Sequence, residues 1–155
     1  MTSSNEYTIV RKSSIHRKGV FAKNGIPKGT FVVEYKGRKV TKAEGARIDA
    51  ETSKKGYTYM FELNKKWDID GNVSYNGAKY INHSCSPNCK YAYKRGHIWI
   101  VAKKKIKKWD ELSYNYGFDF ENYQRHKCKC GSKNCVGYIL DKSFWKKLKK
   151  SKSRK

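Results

Sequence analysis

Acidic residues are scarce in this chain: 13 Asp and Glu stand against 36 Lys and Arg, for a formal net charge of +23 at pH 7. No apolar run approaches the roughly 18 residues of a membrane span. The first residues, Met1-Thr2-Ser3-Ser4-Asn5-Glu6, have neither the basic start nor the apolar stretch of a signal peptide. These absences predict a soluble, unsecreted chain with no membrane partner. Proline occurs only twice, and no cysteine precedes Cys85. The five cysteines are an odd number, packed too tightly for separate disulfides, so metal binding takes precedence over disulfide bonding.

The composition is that of one globular domain, with 155 residues, 37% hydrophobic and 14% aromatic. Eight Lys or Arg and no acid follow Asp141, which leaves +15 on residues 1–141. Such a field favours polyanions, nucleic acid first. Yet 29 of the basic residues are Lys and only 7 are Arg, and scattered solvated lysines also serve solubility alone. Both readings stay open.

Short segments punctuated by Gly and Pro predict a mainly β fold. Tyr7 to Lys12 alternates as a first strand, and Phe31 to Tyr35 is an apolar strand ending at Lys36-Gly37. Thr41-Lys42-Ala43-Glu44 fits a capping box, predicting a helix to about Glu51 despite Gly45. Tyr57, Tyr59, Phe61 and Leu63 share one face at period two and predict a half-buried strand. Lys90–Tyr93 and His97–Ala102 frame a hairpin with a basic tip at Lys94-Arg95-Gly96. Phe144, Trp145 and Leu148 space a weak terminal helix, after which Lys146 to Lys155 reads as a disordered basic tail.

The densest chemistry lies in Lys79-Tyr80-Ile81-Asn82-His83-Ser84-Cys85-Ser86-Pro87-Asn88-Cys89. There the chain leaves an apolar segment and presents polar side chains and free backbone groups. Glu111-Leu112-Ser113-Tyr114-Asn115-Tyr116 and the triplet Cys128, Cys130, Cys135 follow it. In this order the three motifs resemble those of the SET-domain protein lysine methyltransferases with a post-SET zinc segment. The resemblance covers residues 8 to 140. It implies short curved β-sheets, few short helices and a C-terminal pseudoknot near Asn82 to Cys85. The implied organisation is a SET domain at 1–122, a post-SET zinc segment at 123–141 and a basic tail at 142–155. With no cysteine cluster ahead of the domain, a minimal form without a pre-SET segment is expected.

Three thiolates need a fourth to close a tetrahedral structural zinc site. By resemblance the fourth is Cys85, leaving Cys89 as a buried or free thiol. The resemblance also implies S-adenosylmethionine as cofactor, held at Lys18, Gly19, Tyr59, Asn82, His83, Tyr116 and Lys129, with Val136 to Leu140 over the adenine. Tyr116 is implied as the catalytic tyrosine, with Tyr114 and Tyr59 around the lysine channel. Tyr114, rather than Phe, at the product-specificity position implies mainly monomethylation, reaching dimethylation at most.

Four positions depart from the family pattern. Arg17 stands where the family places the first glycine of its cofactor turn. Trp109 replaces a glycine, so an altered turn is expected. Asn115 replaces a common Asp, and Val136 a frequent arginine. The expected substrate is a histone or histone-like protein, with DNA or nucleosome contact through the basic surface and tail. Location in the nucleus or on chromatin, of its own cell or a host's, follows from that, and otherwise in the cytoplasm. The alternatives are a non-histone substrate, or an inactive zinc module that binds chromatin or nucleic acid.

Overall fold

A computed structural model describes residues 5 to 154. Met1 to Ser4, at the expected start of the domain, and Lys155, at the expected end of the tail, lie outside the described residues. The chain folds into small sheets rather than one large one. Strands β1 (Thr8–Lys12) and β2 (Lys18–Ala22) form an antiparallel pair. A three-stranded sheet combines β3 (Phe31–Tyr35) with β8 (Cys89–Lys94) and β9 (His97–Ala102), with β9 in the centre. Another holds β4 (Arg38–Thr41), β5 (Met60–Glu62) and β6 (Trp67–Asp70), with β6 in the centre.

The fourth pairing positions the site. Strands β7 (Asn82–His83) and β10 (Ser113–Tyr114) run parallel, with Ser113 opposite Asn82 and Tyr114 opposite His83. The Asn88 side chain secures the crossing from both of its ends: Nδ2 donates to Glu111 O at 2.8 Å, and Oδ1 accepts from Ser113 N at 2.9 Å. The later chain therefore passes beside Asn82 to Cys85, as the expected pseudoknot requires.

Burial explains why these strands form where they do. Val20, Ile26, Ile81, Ile98, Ile100, Ile106 and Leu112 are each at most 2% exposed and belong to one cluster. At about 1.5–3 kcal/mol for each fully buried aliphatic side chain, this cluster dominates the stability of the body. Ile106, alone among lysines in the sequence, is fully buried and bridges to Ile26. The hairpin tip reads as expected: Arg95 and Gly96 have φ of 50° and 78°, both positive, as a tight two-residue hairpin turn requires.

Helix α1 (Lys42–Lys54) starts at the predicted cap, where Thr41 Oγ1 accepts from Glu44 N at 3.2 Å. Gly45 is the price of close packing: a Cβ there would stand 2.6 Å from Asp68 Oδ2. That buried carboxylate in turn accepts from Lys42 Nζ at 2.5 Å and fixes α1 on β6.

Two expectations need correction, the strand over 57–63 and the disordered tail. The strand predicted over 57–63 is regular only at Met60–Glu62: Tyr57 N turns back to the helix carbonyl Thr52 O at 3.3 Å, while Tyr59 O and Leu63 N bond Gly71 N and Trp67 O at the strand's two ends. At the turn where Trp109 replaces a glycine, Trp109 itself adopts φ 70°, the region glycine favours, while its N–H donates to Ala22 O at 2.8 Å. The tail is not disordered from Lys146. A 3-10 turn at Lys142–Phe144 leads into α2 (Trp145–Lys152), whose Leu148 is 2% exposed. Trp145 Nε1 donates to Leu140 O, and Lys147 and Lys152 lie over the rings of Phe120 and Tyr138. Aromatic surface from residues 120–144 thus gives the basic helix something to pack on.

Candidate active site and metal centre

The thiol cluster is the most constrained part of the site. Sγ atoms of Cys85, Cys128, Cys130 and Cys135 all lie within 4.8 Å of one another, and Cys85 Sγ is 3.9 Å from those of Cys128 and Cys135. A tetrahedral zinc site with Zn–S of about 2.3 Å has ligand–ligand edges of about 3.8 Å, so the four positions fit that ion. Backbone N–H groups already point at the sulfurs: Cys85 N to Cys130 Sγ at 3.5 Å and Gly137 N to Cys135 Sγ at 3.4 Å. Burial pushes the Cys85 thiol up to about 11. At Cys130, burial opposes ionisation, but hydrogen bonds led by the Ser132 hydroxyl bring the thiol down to about 6. Cys89 is outside the group, fully buried in the core, with its pKa raised by burial to about 12.

Asn82 is locked by three contacts. Its Nδ2 donates to Lys18 O at 3.0 Å, Glu111 Oε1 at 2.8 Å and Ser13 Oγ at 3.2 Å. Ser13 Oγ also donates to Glu111 at 2.8 Å. The Glu111 carboxylate occupies the space where a Gly19 side chain would be, so a Cβ at Gly19 would collide with it. Gly19 is thus needed for the approach of Glu111, which joins the β1–β2 turn to β7 and β10.

His83 is buried, which lowers its pKa to about 4 and keeps it neutral. Its Nδ1 accepts from Tyr116 N at 3.1 Å, so Nε2 carries the proton and faces Cys85 Sγ at 3.8 Å. With its lone pair engaged, His83 has no free acceptor for base chemistry.

A cavity of about 290 Å³ opens beside these strands, lined by Tyr35, Tyr59, Phe61, Lys79, Tyr91, Tyr93, Tyr114, Tyr116 and Phe118 among others. Tyr116 is anchored at both ends: its N–H reaches His83, and its hydroxyl donates to Ile81 O at 2.7 Å. Burial raises its pKa, as it does for Tyr114 and Tyr59. These phenols therefore stay protonated, and the Tyr116 oxygen keeps its lone pairs for an incoming donor. The Tyr114 ring lies 5.0 Å from that of Tyr116, and both line the cavity. Tyr35 reaches in from β3 and donates to Tyr59 O at 2.8 Å, fixing that wall. A second cavity, about 320 Å³, lies between β3, β9 and the β4–β6 strands and contains none of the motif residues.

Of the residues expected from sequence, Tyr59, Tyr114 and Tyr116 meet in the cavity, with Asn82 and His83 directly behind. Lys18 is exposed, with Nζ 5.0 Å from the Tyr80 ring. Lys129 is exposed in the loop between two thiols, apart from the tyrosines that line the cavity. Sequence reasoning missed Lys79, a half-buried cation that lines the cavity 5.4 Å from the Tyr59 ring. It also missed the joint role of Ser13 and Glu111, and the packing of Tyr91 against Phe61 and Tyr114. The only signal for Lys79 was its place three residues before Asn82; for Ser13 and Glu111, 98 residues apart, there was none.

Comparison with known proteins agrees with this geometry. Residues 17–117 match the SET domain family. The chain is 34% identical over 139 residues, 86% of its length, to histone-lysine N-methyltransferase trithorax of Drosophila virilis, covering 4% of that protein. It is 38% identical over 132 residues, 80% of its length, to human histone-lysine N-methyltransferase 2D, covering 2%. Histone H3-lysine(4) N-trimethyltransferase ATX1 of Arabidopsis thaliana is 36% identical over 140 residues, 84% of this chain and 13% of that protein. The chain thus spans only a small part of the relatives it matches. With the motif residues gathered at one cavity and the match covering most of the fold, the chain belongs to the SET-domain family.

Proposed function

We propose that the chain is an S-adenosylmethionine-dependent protein lysine N-methyltransferase acting on a histone or histone-like protein, mainly to the monomethyl state. The observation that carries this reading is the double anchoring of Tyr116 at a tyrosine-lined cavity, directly in front of the Asn82–His83 strand. The donor set fits the cofactor's charges: Lys79 offers a cation for a carboxylate, and tyrosine rings and oxygens suit a sulfonium. When bound at Lys18, Gly19, Tyr59, Asn82, His83 and Tyr116, the cofactor supplies an activated methyl group.

The chain's own residues then do the work of alignment and exclusion of water. The Tyr116 hydroxyl, with its proton committed to Ile81 O, accepts from the substrate amine and orients its lone pair. A free lysine has a pKa near 10.4, and a desolvated aromatic channel beside a cation favours loss of its proton. Neither a protonated tyrosine nor the engaged His83 takes that proton, so it leaves to water through the cavity mouth. The Tyr114 side chain, in the wall of the cavity, occupies room that a second methyl would need. ATX1 is named for trimethylation, and Tyr114 is our reason for a lower product state in this chain.

Zinc at Cys85, Cys128, Cys130 and Cys135 would hold the later chain over the central motif. Location on chromatin follows from the substrate, and the folded basic helix suits contact with DNA. Lys146 and Lys150, four apart and both exposed, share the face of α2 opposite Leu148, and exposed Arg154 follows the end of the helix. Exchanging these three for Glu should reduce the slope of log binding constant against log salt by about 3 on duplex DNA.

The deciding experiment is mass spectrometry of zinc-loaded protein incubated with S-adenosylmethionine and core histones or nucleosomes. One-methyl mass gains on a histone lysine are expected, lost in Tyr116→Phe and extended to higher states in Tyr114→Phe. Cofactor binding without gain on any histone would point to a non-histone substrate. Absence of cofactor binding would leave an inactive zinc module.

A further inference from the structure

The segment from Lys103 to Lys108 holds five lysines around one isoleucine, and the fold sorts them. Ile106 N donates to Ile26 O and Ile26 N to Ile106 O, both at 2.9 Å, in an antiparallel bridge whose two isoleucines are at most 1% exposed. Side chains alternate along an extended segment, so with Ile106 turned inward Lys105 and Lys107 both turn outward. The register of the bridge sets Pro27 opposite Lys105 and Gly25 opposite Lys107, neither able to cover or neutralise them. Lys28, Lys103, Lys104 and Lys108 are exposed in the same two segments.

Trp109, next in the chain, is an independent observation. It is 48% exposed and sits at φ 70°, where a side chain costs free energy. Its ring gathers two cations: Arg11 Cζ of β1 lies 4.2 Å and Lys108 Nζ 5.1 Å from the centroid. An exposed aromatic kept in a strained conformation, with cations collected on it, points to a use for those cations. Asp110 is the only acid in the two segments, and its Oδ2 is taken by the backbone Lys107 N at 3.0 Å. Among the described residues, no carboxylate forms an ion pair with Arg11, Lys28 or any lysine from 103 to 108.

We propose that this face binds the phosphate backbone of duplex DNA, with Lys105 and Lys107 at its centre and Trp109 as the platform that presets Arg11 and Lys108. Only the choice of DNA rests on the chromatin reading above. Lysines fixed by the backbone rather than by acidic partners suit a regular, sequence-independent polyanion, and duplex DNA carries one charge per about 1.7 Å of its axis. Single strands are held by bases stacked on free aromatic faces, whereas the one exposed ring here is already engaged by cations. The face is separate from α2, so each contributes its own counterions to binding.

The test is fluorescence anisotropy of the zinc-loaded full chain, without S-adenosylmethionine, against a short labelled duplex, its single strand and labelled polyglutamate over a range of salt. Lys105→Gln together with Lys107→Gln should reduce the slope of log binding constant against log salt by about 2 on the duplex. The same exchange at Lys65 and Lys66, exposed between β5 and β6 and equal in charge, should leave the slope unchanged. Trp109→Gly should weaken duplex binding about 2- to 10-fold, the cost of ordering a long side chain that the ring had already fixed, although the fold itself loses a strained residue. Equal losses from the two lysine pairs overturn the proposal, because attraction would then be to net charge alone. An unchanged slope in the Lys105 and Lys107 variant overturns it too, as does binding of the single strand or polyglutamate as tightly as the duplex. Absence of any DNA binding overturns this inference alone, since methyl transfer to free core histones is read without DNA.

Discussion

The body of the molecule and its C-terminal lobe are held together by different means. Every member of the main core cluster falls between Val20 and Tyr114, whereas after Tyr116 only Leu140 and Leu148 are buried hydrophobic side chains among the described residues. The lobe relies instead on four thiols, on aromatic pairs such as Phe120–Tyr123 at 4.6 Å and Tyr123–Tyr138 at 4.9 Å, and on lysines laid over rings. Exposed cation–π contacts contribute only about 0.5–1 kcal/mol each. A structural zinc site contributes on the order of 10–16 kcal/mol of apparent binding energy. The body should therefore fold on aliphatic burial, and the lobe on its metal.

The largest effect expected from this contrast is that of metal removal. Chelating zinc, or exchanging Cys128 for Ser, should abolish hydrogen-exchange protection in residues 118–154 while β8 and β9 stay protected; simultaneous loss in both regions would break the comparison. Next is Ile100→Ala, a fully buried position in the central strand β9. It should cost about 2–5 kcal/mol in urea unfolding of the body and leave zinc affinity unchanged.

Leu148→Ala in α2 should cost about 2 kcal/mol, at the low end for such a truncation because an exposed helix can settle into the gap. The loss should be seen as faster exchange confined to α2 and residues 118–144. The smallest effect is Trp109→Gly. Relief of φ 70° in a side chain that is 48% exposed should outweigh the lost contact with Arg11, 4.2 Å over the ring. A gain of about 0.5–1 kcal/mol is expected, read as a higher urea midpoint with unchanged slope.

Local chemistry was legible in advance. Thr41 caps α1, Arg95-Gly96 turns the hairpin, and the Cys85, Cys128, Cys130, Cys135 set assembles as its spacing and family resemblance implied. Local preference yielded where it met distant partners. Lys146 to Lys152 has the composition of a solvated tail, yet it is helical because Leu148 and Trp145 find the lobe. Trp109 does not suit a left-handed turn, yet the bonds of Ala22 to Trp109 N and Asp110 O hold it there.

The sequence by itself determined the kind of chemistry: tyrosines in a paired motif, thiols at metal-ligand spacing and an Asn-His segment, since residue type and short spacing carry that information. The tertiary structure alone decided how these groups are used. Parallel pairing of β7 with β10 turns His83 Nδ1 toward Tyr116 N, commits the Tyr116 proton to Ile81 O, and sets Glu111 against Gly19 and Asn82. Each of these contacts joins segments 29 or more residues apart, so no local pattern encodes them; they exist only once the core has brought the two strands side by side.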